Sequence, residues 1–270
     1  MSVGTIKKCV GDVRIDVDET GEAGFGGGLI GLTSPFGNTV QNCYSLGDVT
    51  VESGPAGGLI GLVEADAESE PRVSEGPLLR ERDDSVAQEQ PNTIQNSYAV
   101  GEITGGTPQS PELEDEPEER EGGLVGAVGP GVFIGTATET PSPSEEADLF
   151  IEESYWDTET TKQNDAVGYE DGIVEKETTE GLETDEMQGD SPDDGGTMVF
   201  DFDTMWQTVV AGESVDNPVA NEDGYPILSE LNAETQLNSQ GITTGEAPGP
   251  GITVDGEDVT LTNTTFGGDE

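Results

Sequence analysis

One ten-residue phrase is written twice in this chain. Residues 40–49 read VQNCYSLGDV and residues 94–103 read IQNSYAVGEI. A second phrase alternates with it: GGLIG at 27–31, GGLIG at 57–61 and GGLVG at 122–126. A shortened strand phrase, IKKCVGDV, lies at 6–13, and IEESYWD at 151–157 closes the series. The spacing from Gly27 to Gly57 sets a basic period of about 30 residues, stretched elsewhere by insertions. A unit recurring at such a period cannot bury its own apolar face and must stack on its neighbours.

Within VQNCYSLGDV, alternation places Val40, Asn42, Tyr44 and Leu46 on one face and Gln41, Cys43 and Ser45 on the other. Gly47-Asp48 reads as a bend. The paired glycines suit a tight corner or a close backbone approach. The leucine after them points into a narrow core, so that Leu29, Leu59 and Leu124 stack. The pattern predicts an all-β fold: a β-solenoid of few coils, paired in parallel and in register, over residues 1–157. Acidic, proline-containing insertions interrupt it at 62–92 and 105–121, and a similar stretch spans 136–149. They read as tolerated corner loops, with displayed binding loops as the alternative. LLRERDD at 78–84 could form one helical turn within the first.

Residues 158–231 change style. GLETDEMQGD reads as a short helix capped by Thr184 and ended by Gly189. MVFDFDTMWQTV concentrates aromatic mass in Phe200, Phe202 and Trp206. The segment is expected to be a small C-terminal capping module, because an open stack end exposes unpaired strands. Residues 232–270 read as a flexible acidic tail, with a hairpin turning at Asp255-Gly256. Asn263-Thr264-Thr265 is a weak glycosylation sequon.

Charge then limits the partners. The chain has 270 residues, 58 acidic and 9 basic, no histidine and a net charge of −49. Nucleic acid and anionic membranes would be repelled. Such acidity suits a folded protein kept hydrated in concentrated salt, where the Debye length falls to about 3 Å. No run approaches the ~20 apolar residues of a membrane span. MSVGTIKKCVGDV lacks the continuous apolar segment of a signal peptide. Because the first copy follows so closely, the chain also reads as a fragment of a larger protein.

Most chemistry is excluded or unsupported. Without histidine there is no Ser-His-Asp or Cys-His centre and no imidazole metal site. There is no phosphate loop of the Walker type. Cys9 and Cys43 occupy one position of neighbouring copies, as do Ser97 and Ser154; a ladder of small side chains is preferred to a disulfide bridge. Asp16, Asp18, Thr20 and Gly21 match the start of a calcium loop, but Gly27 stands where the bidentate carboxylate belongs. GDSPDDGG at 189–196 could hold a cation loosely. Tyr44, Tyr98 and Tyr155 recur at one position and read as a stacking ladder, with a sugar platform as the alternative. No catalytic, cofactor-binding or metal residue is assigned.

The motif order, with ESYWDTETTKQ, GLETDEMQ, FDFDTMWQTV and GYPIL after the repeats, resembles the GLUG-motif repeat family over roughly residues 5–231, inserts excluded. The resemblance implies a right-handed β-solenoid and a structural or adhesive role outside the cell or on its surface. It implies no catalytic residues. The expected function is therefore a non-catalytic surface module from a salt-adapted organism, with an unknown surface glycan or protein as partner. Alternatives are a polysaccharide-binding or polysaccharide-cleaving enzyme, and a fragment of a larger surface protein.

Overall fold

The computed structural model describes residues 4–17, 24–35, 37–65, 90–105, 120–130, 148–215, 218–246, 251–255 and 258–262. Two compact units result: Met1–Glu186 with Met198–Phe200, and Met187–Thr197 with Asp201–Glu270.

In the first unit, five copies of the strand phrase pair side by side. Thr5–Lys7, Thr39–Gln41, Asn92–Gln95, Leu149–Asp157 and Val174–Leu182 follow one another in parallel. Register is kept throughout: Ile6 faces Val40, Val40 faces Ile94, and Ile94 faces Ile151. A second parallel sheet joins Ile30–Thr33, Ile60–Ala65, Val125–Pro130 and Val167–Glu170. Smaller sheets join Ile15–Val17, Val49–Val51 and Ile103–Thr104, and Gly26–Gly27, Ala56–Gly57 and Glu121–Gly122. Among the described residues, one apolar cluster between the sheets includes Val40, Cys43, Leu59, Ile94, Leu124 and Ile151, and a second is formed by Val49, Val51, Ala56 and Ile103.

The expectation of an all-β, right-handed β-solenoid with a small helix-containing cap is corrected by this arrangement. Among the described residues, the first unit is divided among four separate parallel sheets of eight, four, three and three strands. Three antiparallel pairs and four short helices accompany them among the described residues. Many parallel sheets with few helices point to an α/β-type fold rather than one single solenoid. The physical reason is the brevity of the strands: corners recur every few residues, so hydrogen bonding is confined to discrete ladders.

The strict alternation expected across VQNCYSLGDV also fails, for a local reason. Asn42 has φ +52°, and the same register position is left-handed in every copy: Lys8 at +54°, Asn96 at +47°, Glu153 at +45° and Thr178 at +48°. One left-handed residue resets the side-chain period. Val40 and Cys43, on opposite faces by alternation, therefore share the same core.

The glycines of GGL(I/V)G are fixed by close approach. A Cβ on Gly57 would sit 2.0 Å from the Ile60 carbonyl oxygen, and one on Gly27 would sit 2.1 Å from that of Ile30. Gly58 lies against Ala99, and Gly123 against Trp156, in the same register. The leucines that follow are fully buried at 59 and 124 and half-buried at 29.

The parallel ladders continue beyond residue 157. Val174–Leu182 pairs along its whole length with Leu149–Asp157, and Val167–Glu170 continues the second sheet. Leu124 N–H donates to the Ala166 carbonyl at 2.9 Å and Val125 faces Val167, so Asn164-Asp165-Ala166-Val167-Gly168 occupies the place of GGL(I/V)G.

The second unit has its own core of Val209, Val215, Ala220, Ile227, Ala233, Leu237 and Ile242. Trp206–Val209 pairs antiparallel with Gly224–Leu228, and Pro218–Ala220 with Thr244–Glu246. Ala233–Ser239 is a helix whose Asn232 cap accepts from Thr235 N–H at 2.8 Å. Its Gln236 side chain accepts from Leu228 N–H at 2.9 Å and donates to the Leu228 carbonyl at 3.0 Å. Gln240 does the same for Tyr225. Two glutamines thereby serve strand 224–228 as a neighbouring strand would. A helix at Thr184–Met187 falls where GLETDEMQGD predicts one, and Gly189 follows at φ +66°. Gly251–Asp255 and Asp258–Thr262 form the expected hairpin pair; its turn lies outside the described residues.

Candidate functional site

The left-handed corner is held by the residue after it. Cys43 N–H donates to Ser97 Oγ at 3.1 Å, and Ser97 N–H to Ser154 Oγ at 3.3 Å. Cys9 N–H points likewise at Cys43 Sγ, 3.4 Å away. Each side chain then donates to the carbonyl two residues back: Ser97 to Gln95 and Ser154 to Glu152, both at 2.8 Å, and Cys43 to Gln41 at 3.2 Å. The two cysteines are free thiols within this ladder. Burial pushes the Cys43 thiol up to about 11, which keeps it a neutral donor at ordinary pH.

A second ladder runs beside the first. Gln41 Nε2 donates to Gln95 Oε1 at 3.0 Å, and Gln95 Nε2 to Glu152 Oε2 at 3.1 Å. Where the column turns acidic, burial raises the Glu153 carboxyl, with help from the charges of Glu152 and Glu177.

The recurring tyrosines are inaccessible. Tyr44 and Tyr98 stack with centroids 4.8 Å apart and planes 4° from parallel. Phe200 meets the Tyr155 ring edge-on at 5.4 Å, and Tyr155 Oη accepts from Val199 N–H at 2.9 Å. All three tyrosines are essentially fully buried, an environment for ring packing.

The calcium-like motif is not assembled among the described residues. Asp16 is exposed on its strand, Gly27 is in the second phrase, and Asp18, Thr20 and Gly21 lie outside those residues. In GDSPDDGG, Ser191–Asp194 is a helical turn after Asp190. No group of three or more potential ligands converges among the described residues. LLRERDD, the sequon at 263–265 and most of the three insertions also lie outside them. No described helix is long and apolar enough to cross a membrane.

The remaining feature is the outer face of the first copy. Ile6, Cys9, Leu29 and Ile30 pack against the core yet stay half-buried, whereas Val40, Cys43, Leu59 and Ile60 one copy later are buried. An open hollow of about 200 Å³ lies there, lined by Gly4, Ile6, Ile30, Leu32, Thr33 and Val40 among others. Sequence reading missed this face and the left-handed column; the signal for the latter was Asn42 and Asn96 at one repeat position.

Compared with protein-family models, curated proteins and solved structures, the chain matches none.

Proposed function

We propose that this chain is a structural or adhesive repeat module of an extracellular or cell-surface protein from a salt-adapted organism, without catalytic chemistry of its own. The carrying observation is the use made of the recurring polar residues. Cys43, Ser97 and Ser154 hold the corners, Gln41 and Gln95 tie copy to copy, and the tyrosines are buried. The repeat therefore specifies a scaffold, and its ligand-facing chemistry falls to residues outside the repeated phrases. The resemblance to GLUG-motif repeats points the same way, and a net charge of −49 suits a surface hydrated in concentrated salt. The test is a screen of surface glycans and envelope proteins at multimolar KCl, with reducing-end release followed in parallel. Saturable binding without release is expected. Time-dependent release of new reducing ends would replace this reading with an enzymatic one.

A further inference from the structure

The polar column that ties copy to copy changes character at its last step. Gln41 donates to Gln95 and Gln95 to Glu152, each through a side-chain amide. The next residue in register is Glu177, so a carboxylate meets a carboxylate. Ionised carboxylates carry acceptors only. Paired strands lie about 4.8 Å apart, and like charges directly opposite one another are destabilising. The two charges also reach Glu153, whose carboxyl is raised first by burial and then by Glu152 and Glu177.

The strand that carries Glu177, Val174–Leu182, is weakly held along its middle. It pairs with Leu149–Asp157 alone among the described strands. It is exposed from Glu175 to Thr178 and again at Glu180. Lys176 stands in the column that Val40, Ile94 and Ile151 fill with buried aliphatic side chains. Thr178 holds a left-handed conformation that a β-branched residue resists. The two ends are better fastened. Val174 packs against the core, Leu182 is buried, and the Leu182 carbonyl accepts from Thr158 Oγ1 at 3.0 Å. Between them, Thr179 Oγ1 donates to the Ile151 carbonyl at 3.1 Å. A segment with few buried apolar contacts and exposed hydrogen bonds opens before the core does.

We infer that Val174–Leu182 is a salt-gated latch, whose middle closes on Leu149–Asp157 in concentrated salt and opens in dilute salt. The gate is the Glu152–Glu177 contact. The Debye length is about 10 Å at 0.1 M salt, longer than the spacing across the ladder, and about 3 Å at 1 M, shorter than it. Repulsion therefore acts in dilute salt and is screened in concentrated salt. The Lys176–Glu170 ion pair responds in the opposite sense, but exposed pairs of this kind contribute little. Opening bares the hydrogen-bonding edge of Leu149–Asp157, and a bare edge invites pairing with other chains. The latch thus makes a finished sheet conditional on salt. The inference goes beyond the adhesive reading, and its test needs neither a glycan nor a partner.

The test is hydrogen exchange of the full chain, read by mass spectrometry as KCl is lowered from multimolar to dilute. Residues 174–182 are expected to lose protection first, at a KCl concentration where 39–41 and 92–95 are still protected. Glu177→Gln puts at the last step the amide that Gln95 supplies one step earlier. It should lower the KCl midpoint of 174–182 about twofold or more, by removing one of two opposed like charges. Glu175→Gln removes the same charge from the same exposed strand but faces Phe150, and should shift that midpoint less. Four results would overturn the inference: loss of protection in all three segments together, protection of 174–182 independent of KCl, no protection there at any KCl concentration, or equal shifts from the two variants.

Discussion

Ser97 holds Cys43 from the next copy: its hydroxyl accepts the Cys43 N–H at 3.1 Å while donating to the Gln95 carbonyl at 2.8 Å. Ser97 is fully buried, so removing its oxygen leaves the Cys43 N–H without a partner or water, while the Gln95 carbonyl keeps the Asn42 N–H at 3.1 Å. Ser97→Ala is expected to destabilise the first unit by about 1–3 kcal/mol. Ser97→Cys should cost less, since Cys43 fills the same position in the copy before. Urea denaturation in concentrated KCl measures both; equal costs would contradict the ladder.

The left-handed column gives a prediction of opposite sign. Thr178 is β-branched and exposed at φ +48°, a conformation such residues resist and asparagine tolerates. Asn42 and Asn96 already stand in that column. Thr178→Asn should therefore raise stability by about 0.5–1 kcal/mol, visible as a later denaturation midpoint. A loss would show that the corner is not left-handed there.

Glycines differ by what surrounds them. Gly57→Ala would put its Cβ 2.0 Å from the Ile60 carbonyl oxygen, and the strands must separate to admit it. A loss of about 3 kcal/mol or more is expected, in the range of strongly disruptive substitutions. Gly196, at φ +63° with nothing within 4 Å, should cost only about 1 kcal/mol on change to alanine.

Stability should fall in alkali. Burial raises the Cys43 thiol to about 11 and raises the Tyr44 and Tyr155 phenols as well. In the unfolded chain these groups ionise near 8.5 and 10. The folded state thus favours their neutral forms, and the stabilisation they report is complete below about pH 8.5. It is lost as pH rises towards and past 11, because the unfolded chain releases protons first. Denaturation midpoints should be flat to about pH 8 and then decline. Cys43→Ser should delay the onset of the decline. An unchanged midpoint through pH 11 would contradict the buried, neutral thiol.

How much was legible follows from what each residue does. The GGL(I/V)G phrases were legible because backbone approach at Gly27, Gly57 and Gly122 admits no side chain, so the letters recur. The fourth copy was not, because Asp165 and Ala166 keep the backbone bonds while dropping the glycine pair and leucine. Val174–Leu182 escaped notice because an outermost strand carries charges where inner copies carry apolar residues. The alternation failed at Asn42, since one left-handed residue leaves no periodic trace. The single-solenoid expectation failed because the phrase repeats fix which residues pair, and not how corners divide the pairs among separate sheets. No site residue was legible in the sequence, and the outer face of the first copy was invisible because such a face is defined by its neighbours.

The most direct test of in-register stacking is disulfide trapping across the ladder. In a Cys9→Ser background, Ser97→Cys faces Cys43 from the neighbouring strand, at a spacing of about 4.8 Å, within disulfide reach. Mild oxidation in concentrated KCl should form the 43–97 bridge rapidly, identified by mass spectrometry of the digested chain. Cysteines placed instead at Asn96 or Tyr98 should bridge far more slowly. Equal rates at all three positions, or no bridge at 97, would contradict the register on which this account rests.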